Sequence, residues 1–158
     1  MNNWPKQDFK NLAAFYGKVG ENQTSFELPY PLFLAWDTSK KVKKVTCHQK
    51  VASSLHRIFE NTLKTYGEKE IKILRLNLFG GCLNVRKMRG SSTTWSTHSW
   101  GIAVDLDPDN NRLKWNKNRA GFAKEEYLAF WKIVETEGWT SLGRARDFDW
   151  MHFQATKL

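Results

Sequence analysis

Ser96-Thr97-His98-Ser99-Trp100-Gly101-Ile102-Ala103-Val104-Asp105, read together with Asp149-Trp150-Met151-His152-Phe153 near the C-terminus, is the stretch that decides how this chain is read. Two histidines and one carboxylate suit a catalytic zinc ion, which takes three protein ligands and leaves its fourth position to water. His98, Asp105 and His152 are the candidate ligands. Asp149, just before the last histidine, is a second carboxylate free to serve as a base. The spacing also constrains the backbone. The separation of His98 from Asp105 is odd, and odd spacings on a straight strand send side chains to opposite faces. Both reach one ion only if the chain bends between them, and Gly101 allows that bend at little steric cost. Small Ala103 lets this strand pass close to a neighbour. Asp149 and His152 raise the same problem, so Asp149 is expected in a loop and His152 on the strand that follows it. Singly, each residue has an ordinary explanation: a histidine packed in a sheet, an aspartate forming a turn. Together they make a much rarer coincidence.

The rest of the chain sets bounds. At 158 residues with 14% aromatics and eight tryptophans, it is long and apolar enough for one domain around one core. No apolar run is long enough to cross a bilayer, so no membrane insertion is expected. The first residues lack the basic start and apolar stretch of a secretory signal, so the protein is expected to begin in the cytoplasm. Cys47 and Cys82 stand outside any CxxC or CxxH spacing and are expected to be free, buried thiols. The 25 basic and 16 acidic residues give a net charge of +9, which suggests an anionic partner: nucleic acid, a membrane surface or an acidic wall polymer. The one basic cluster, Lys40-Lys41-Val42-Lys43-Lys44, reads as a solvated loop.

Hydrophobic periodicity gives the elements. Phe9 to Tyr16 reads as a short helix stopped by Gly17. Phe26 to Trp36, with Pro29 and Pro31, reads as extended or looped. Thr46 and Gln49 suggest a capping box for an amphipathic helix through Val51, Leu55, Ile58, Phe59, Leu63 and Tyr66, with His48 and His56 structural or exposed on it and Gly67 at its end. Ile71 to Phe79 reads as a strand, turned by Gly80-Gly81 into a second strand, Cys82 to Arg86. Ile102 to Leu106 is a third strand, ended by an acidic turn in which Asp107 and Asp109 are turn formers before they are calcium ligands. Lys124 to Glu137 reads as a helix with Tyr127, Phe130, Trp131 and Val134 inward, and Trp150 to Gln154 as the last strand. The fold class expected is α+β: a small, mainly antiparallel sheet flanked by helices.

The pattern Ser-x-His-x-x-Gly-x-Ala-x-Asp, followed late by an acidic residue-x-x-His-Phe, resembles the M15 family of zinc peptidases, closest to its phage endolysin branch. The likeness runs from about Phe79 to Gln154. It implies a fold of the Hedgehog/DD-peptidase type and a single peptidase domain over 1–158, with 1–45 an N-terminal extension packed on a catalytic core of 46–158. It implies one catalytic zinc ion on His98, Asp105 and His152, with Asp149 as the catalytic base, where many members carry Glu. Gln154 stands where Glu is common, a position beside the ligands. Arg86 matches a family arginine that contacts substrate or the developing oxyanion, and a guanidinium suits both tasks. Arg89 is its rival, and Ser96, Trp100 and Trp150 are further candidates for substrate contact. Ser96 has an equal reading as a hydroxyl that stabilises the His98 loop, and the tryptophans, Trp95 included, as core packing.

The activity so implied is hydrolysis of the stem peptides of bacterial peptidoglycan. The preferred reading is an L-alanyl-D-glutamate endopeptidase of phage lysis, a monomer made in the cytoplasm that reaches the wall after release. The alternative is a D-alanyl-D-alanine carboxypeptidase. Two readings lie outside enzymology's usual reach for this pattern. A metal-containing wall-binding protein leaves Asp149 without a duty, and a nucleic-acid-binding domain leaves the whole ligand set unexplained and shows no recognisable motif.

Overall fold

The structure is a computed structural model and describes residues 2–158. Its first element, α1 (Phe9–Tyr16), opens on Asp8, whose side chain accepts from the Asn11 amide. A long antiparallel hairpin follows, β1 (Gln23–Leu34) and β2 (Asp37–His48). The lysines of 40–44, expected in a loop, therefore lie on β2, which is the edge of the sheet. Lysine on an edge strand is a common way of blocking edge-to-edge pairing. Pro29 and Pro31 fall within the break in register between Glu27 and Leu32, where a residue without an N–H costs the ladder least.

Helix α2 (Ala52–Ile73) buries Leu55, Ile58 and Phe59. The capping box does not form, because Thr46 belongs to β2, opposite Ser25, and the helix starts after Val51 with no side-chain cap. His48 likewise ends β2 rather than riding on the helix. It is buried, its Nε2 donates to the Tyr16 carbonyl at 2.7 Å, and its Nδ1 accepts from the Lys50 amide. His56 sits edge-on to Phe26. Gly67 interrupts α2 with φ 75° but the helix resumes, so Ile71 to Ile73 are helical and the strand expected from Ile71 shrinks to β3 (Leu78–Gly81). The expected strand Cys82 to Arg86 is absent, because a different partner takes its backbone groups. The Cys82 carbonyl accepts from His98, the Asn84 amide donates to the His98 carbonyl, and the Arg86 amide donates to Ser99 Oγ.

The remaining elements are β4 (Ala103–Leu106), α3 (Leu128–Thr136), β5 (Thr140–Ser141), α4 (Leu142–Arg146) and β6 (His152–Gln154). The helix expected from Lys124 begins as a 3-10 turn, Glu125–Tyr127, before it becomes α3. The sheet has six strands in the order β2-β1-β3-β4-β6-β5. The expectation of a small, mainly antiparallel sheet is corrected here. The sheet is mixed, because α2 carries the chain from β2 back across to β3, which lies parallel to β1 while the other pairs are antiparallel. The class remains α+β. Helix α2 packs on β1 and α3, around a core that includes Phe59, Phe130, Trp131, Trp139 and Phe153. Both cysteines are free and buried. No described helix is long and apolar enough to cross a membrane.

Glu137, at the end of α3, ties three parts of the chain together. Its carboxylate accepts from Arg57 and Ser54 of α2 and from Asn2, and Ser54 Oγ in turn accepts from the Trp139 indole. Burial works to raise its pKa, but Arg57 and Ser54 outweigh burial and hold it below the ordinary 4.5. A depressed carboxylate contributes stability that is complete above the unfolded pKa and is lost as pH falls through the folded one. Glu137→Gln is expected to lower stability by about 1–3 kcal/mol at neutral pH. In denaturant titrations the gap from wild type should close below the ordinary pKa of 4.5. A gap that persists unchanged at pH ~3, well below that value, would assign the loss to shape rather than charge.

Candidate metal centre

Asp105 and His152 are direct partners across the antiparallel pair β4 and β6, so their side chains stand on one face of the sheet. His98 arrives from outside the sheet, on a 3-10 turn, Thr97–Trp100. Ser96 caps that turn by accepting from the His98 amide. Gly101, at φ 68°, then swings the chain into β4. This is the bend demanded by the odd spacing, and a side chain here would meet Gln23 Oε1 and the His48 amide. Asp149 lies in the turn before β6, itself left-handed at φ 53°, a conformation Asp tolerates better than most residues.

The three side chains converge. Asp105 Oδ2 is 3.2 Å from His98 Nε2, and Asp105 Oδ1 is 3.0 Å from His152 Nδ1. One donor atom from each residue lies within 4.8 Å of the others. Donors on a tetrahedral zinc ion with bonds of about 2.1 Å stand about 3.4 Å apart, so only small adjustments separate this cluster from a coordination shell.

The hydrogen bonds around the rings select the free nitrogens. A carbonyl can only accept, so the 2.7 Å contact of His98 Nδ1 with the Cys82 carbonyl puts the proton on Nδ1 and leaves Nε2 facing Asp105. His98 Nε2 is buried and has no hydrogen-bond partner. An orphaned imidazole nitrogen beside a carboxylate is costly unless something else occupies the space between them. His152 uses its two nitrogens differently. Nε2 donates to Gln154 Oε1 at 2.7 Å, which leaves Nδ1 for the cluster. The Gln154 amide is oriented by its own NH2 group, which donates to Gln7 and Thr156, while the Thr97 hydroxyl donates to its oxygen. Such outer contacts fix the tautomer and direction of a metal-binding histidine.

The electrostatics are those of a carboxylate between two bases. Burial works to raise the Asp105 pKa, yet the imidazoles of His98 and His152 override it and hold the group far below the usual range. Asp149 goes the other way. Burial pushes its carboxyl up to about 6, against the pull of His152 and with the repulsion of Asp105. Its Oδ2 is 3.9 Å from His152 Nδ1, in the second rank behind the cluster.

The cluster forms the floor of a cleft of about 180 Å³. Arg86, Arg89, Ser96 and Asp149 all line it. Arg86 is partly buried, with Nη1 donating to the Lys87 carbonyl, and Arg89 is exposed. Trp100 and Trp150 do not line this cleft, and Trp100 reaches only the groove beside it. Trp100 is buried with its indole donating to the Gly17 carbonyl, while Trp150 lies against Trp131 and donates to Asp147. Apolar walls come instead from residues such as Phe148, Leu142 and Met88, which no local pattern marked. Gln154 had a readable signal, since a residue two along from a ligand on a strand shares its face. Gln7, far away in sequence, had none. Asp107 binds Arg75 through both carboxylate oxygens, at 2.8 and 2.9 Å, which accounts for it without calcium.

No curated protein and no solved structure matches the chain. Residues 89–155 match the family model described as D-alanyl-D-alanine carboxypeptidase. Arg86 falls just before the matched stretch, whereas His98, Asp105, Asp149 and His152 all lie inside it. Over those residues, less than half of the chain, it is similar to the M15 family of peptidases.

Proposed function

We propose that this protein is a zinc peptidase of peptidoglycan stem peptides, a single domain over 1–158 that cuts the L-alanyl-D-glutamate bond as a phage or prophage lysis enzyme. The observation that carries the reading is His98 Nε2, buried and unpartnered at 3.2 Å from Asp105 and in one cluster with His152 Nδ1. Zinc bound by His98, Asp105 and His152 would supply a Lewis acid for the scissile carbonyl and lower the pKa of water. Asp149 lies close enough to take a proton from water in the cleft and, once protonated, to return it to the leaving amine. Its buried carboxyl, pushed up to about 6, is basic enough to hold that proton in passing. Arg86 and Arg89 face the same space and suit the free carboxylates of a stem peptide or the negative charge that develops on the carbonyl oxygen.

Asp149 also separates this reading from a non-catalytic metal protein, because a carboxylate kept buried beside the cluster without a ligand duty has no other evident use. The family description favours a second reading, removal of the terminal D-alanine. Digestion of purified peptidoglycan, with the products read by mass and N-terminal labelling, distinguishes the two. New N-terminal D-glutamate is expected, and loss of a single alanine from each stem would replace the endopeptidase with the carboxypeptidase.

The metal has its own test. Equilibrium dialysis followed by elemental analysis should find one zinc per chain, lost in His98→Ala and kept in Asp149→Ala. Gln154→Leu, which releases the His152 ring, should weaken zinc binding by about 10–100-fold. Asp149→Ala should abolish hydrolysis while retaining zinc. Full zinc occupancy in His98→Ala would remove the cluster from consideration.

A further inference from the structure

A second groove, of about 470 Å³, lies beside the metal cleft and shares three wall residues with it: Gln7, Met88 and Thr97. None of its other walls has a part in the proposed chemistry. Phe9 is 62% exposed, an expensive position for a phenyl ring with nothing on it, and it leans on buried Trp100 with ring centroids 6.1 Å apart. Asp8, Trp95, Thr93 and Thr94 line the same groove. The Lys87 ammonium sits 3.4 Å from the Trp95 ring centre, which holds that indole in place from one side. Aromatic faces mixed with hydroxyls and an amide are the surface that an N-acetylated sugar recognises. Its C–H faces stack on rings and its hydroxyl and acetamido groups bond to Thr and Gln.

We infer that this groove binds the glycan of the wall polymer, holding the amino sugar to which the peptide is attached. The inference rests on the peptidase reading above and deepens it. The first alanine of a stem peptide is joined directly to a lactyl group on the sugar. An L-alanyl-D-glutamate bond in the cleft therefore leaves the saccharide one residue away, at the sill formed by Gln7, Met88 and Thr97. A terminal D-alanyl bond in the same place would set the sugar three residues further off, about 10 Å along an extended chain, beyond that sill. A glycan site adjoining the cleft thus belongs with the endopeptidase.

The test uses the zinc-loaded protein and two probes: peptide-free glycan strands, titrated by tryptophan fluorescence and calorimetry, and a matched pair of substrates, the disaccharide-linked stem peptide and the same peptide without sugar. Saturable glycan binding is expected, weakened about tenfold by Phe9→Ala and by Trp95→Ala. The sugar-linked substrate should be turned over with a kcat/KM about tenfold higher than the bare peptide. That preference should disappear in both variants while the rate on the bare peptide stays the same. Phe9 is exposed, so Phe9→Ala decides the matter should Trp95→Ala fail to fold. Absence of glycan binding, or equal turnover of the two substrates, overturns the glycan site and leaves the peptidase standing. Glycan binding that Phe9→Ala removes, in a protein that hydrolyses neither substrate, upholds the site and overturns the peptidase.

Discussion

A largely enclosed carboxylate set between imidazoles is the constraint on which the rest of this structure depends. Asp105 sits in the middle of the sheet, between β3 on one side and β6 on the other, with its oxygens turned toward His98 and His152. Removing a charge of this kind from water costs several kcal/mol unless opposite charge or strong hydrogen bonds replace the water. The imidazoles compensate only in part, because one of their four nitrogens, His98 Nε2, remains without a hydrogen bond. A divalent cation is the simplest species that satisfies the carboxylate, His98 Nε2 and His152 Nδ1 at once. The sequence around the cluster follows from this. Gly101 aims His98, the strand pairing aims His152, and Cys82 and Gln154 set the tautomers from behind.

That arrangement explains what could be read from the residues alone. The convergence of His98, Asp105 and His152 was legible because chemistry dictates the residue types of such a cluster and because the bend it requires falls on a glycine. Helix α1 and the apolar face of α2 were legible because periodicity within one segment determines them. The β1–β2 hairpin was not, since β2 is an edge strand whose outward lysines hide its alternation. Cys82 to Arg86 has the composition of a strand, but long-range bonds to the His98 turn claim its backbone. Pairing across such distances leaves no local trace. The tryptophans misled for a related reason. Trp100 and Trp150 adjoin the ligands in sequence, yet neighbours on a turn or strand can point away from the site, into the core.

The N-terminal third is structurally engaged with the site, although the family match begins only at residue 89. Tyr16 donates to the Ala155 carbonyl, directly behind β6, and Trp100 donates to the Gly17 carbonyl. Gln23 bonds the Trp100 carbonyl beside Gly101, which pins the turn that carries His98. Gln7 accepts from the amide that orients His152. Each of these contacts acts on the orientation of a cluster residue or on the strand beneath it.

Residues before the matched segment therefore help to position the His98, Asp105 and His152 cluster. Without the residues before 89, His98 Nδ1 would lose the Cys82 carbonyl and the Gln154 amide would lose one of its two acceptors. The His98 ring would then be free to change tautomer, while Gln154, still bonded to His152, Thr97 and Thr156, would be held less firmly. The same N-terminal residues form part of the wall between the cleft and the neighbouring groove, through Gln7. Under the proposed function, this shared side of the fold couples affinity for metal to affinity for substrate. Loosening the attachment of α1 to β6 should disturb both together, which no change confined to the cluster would do.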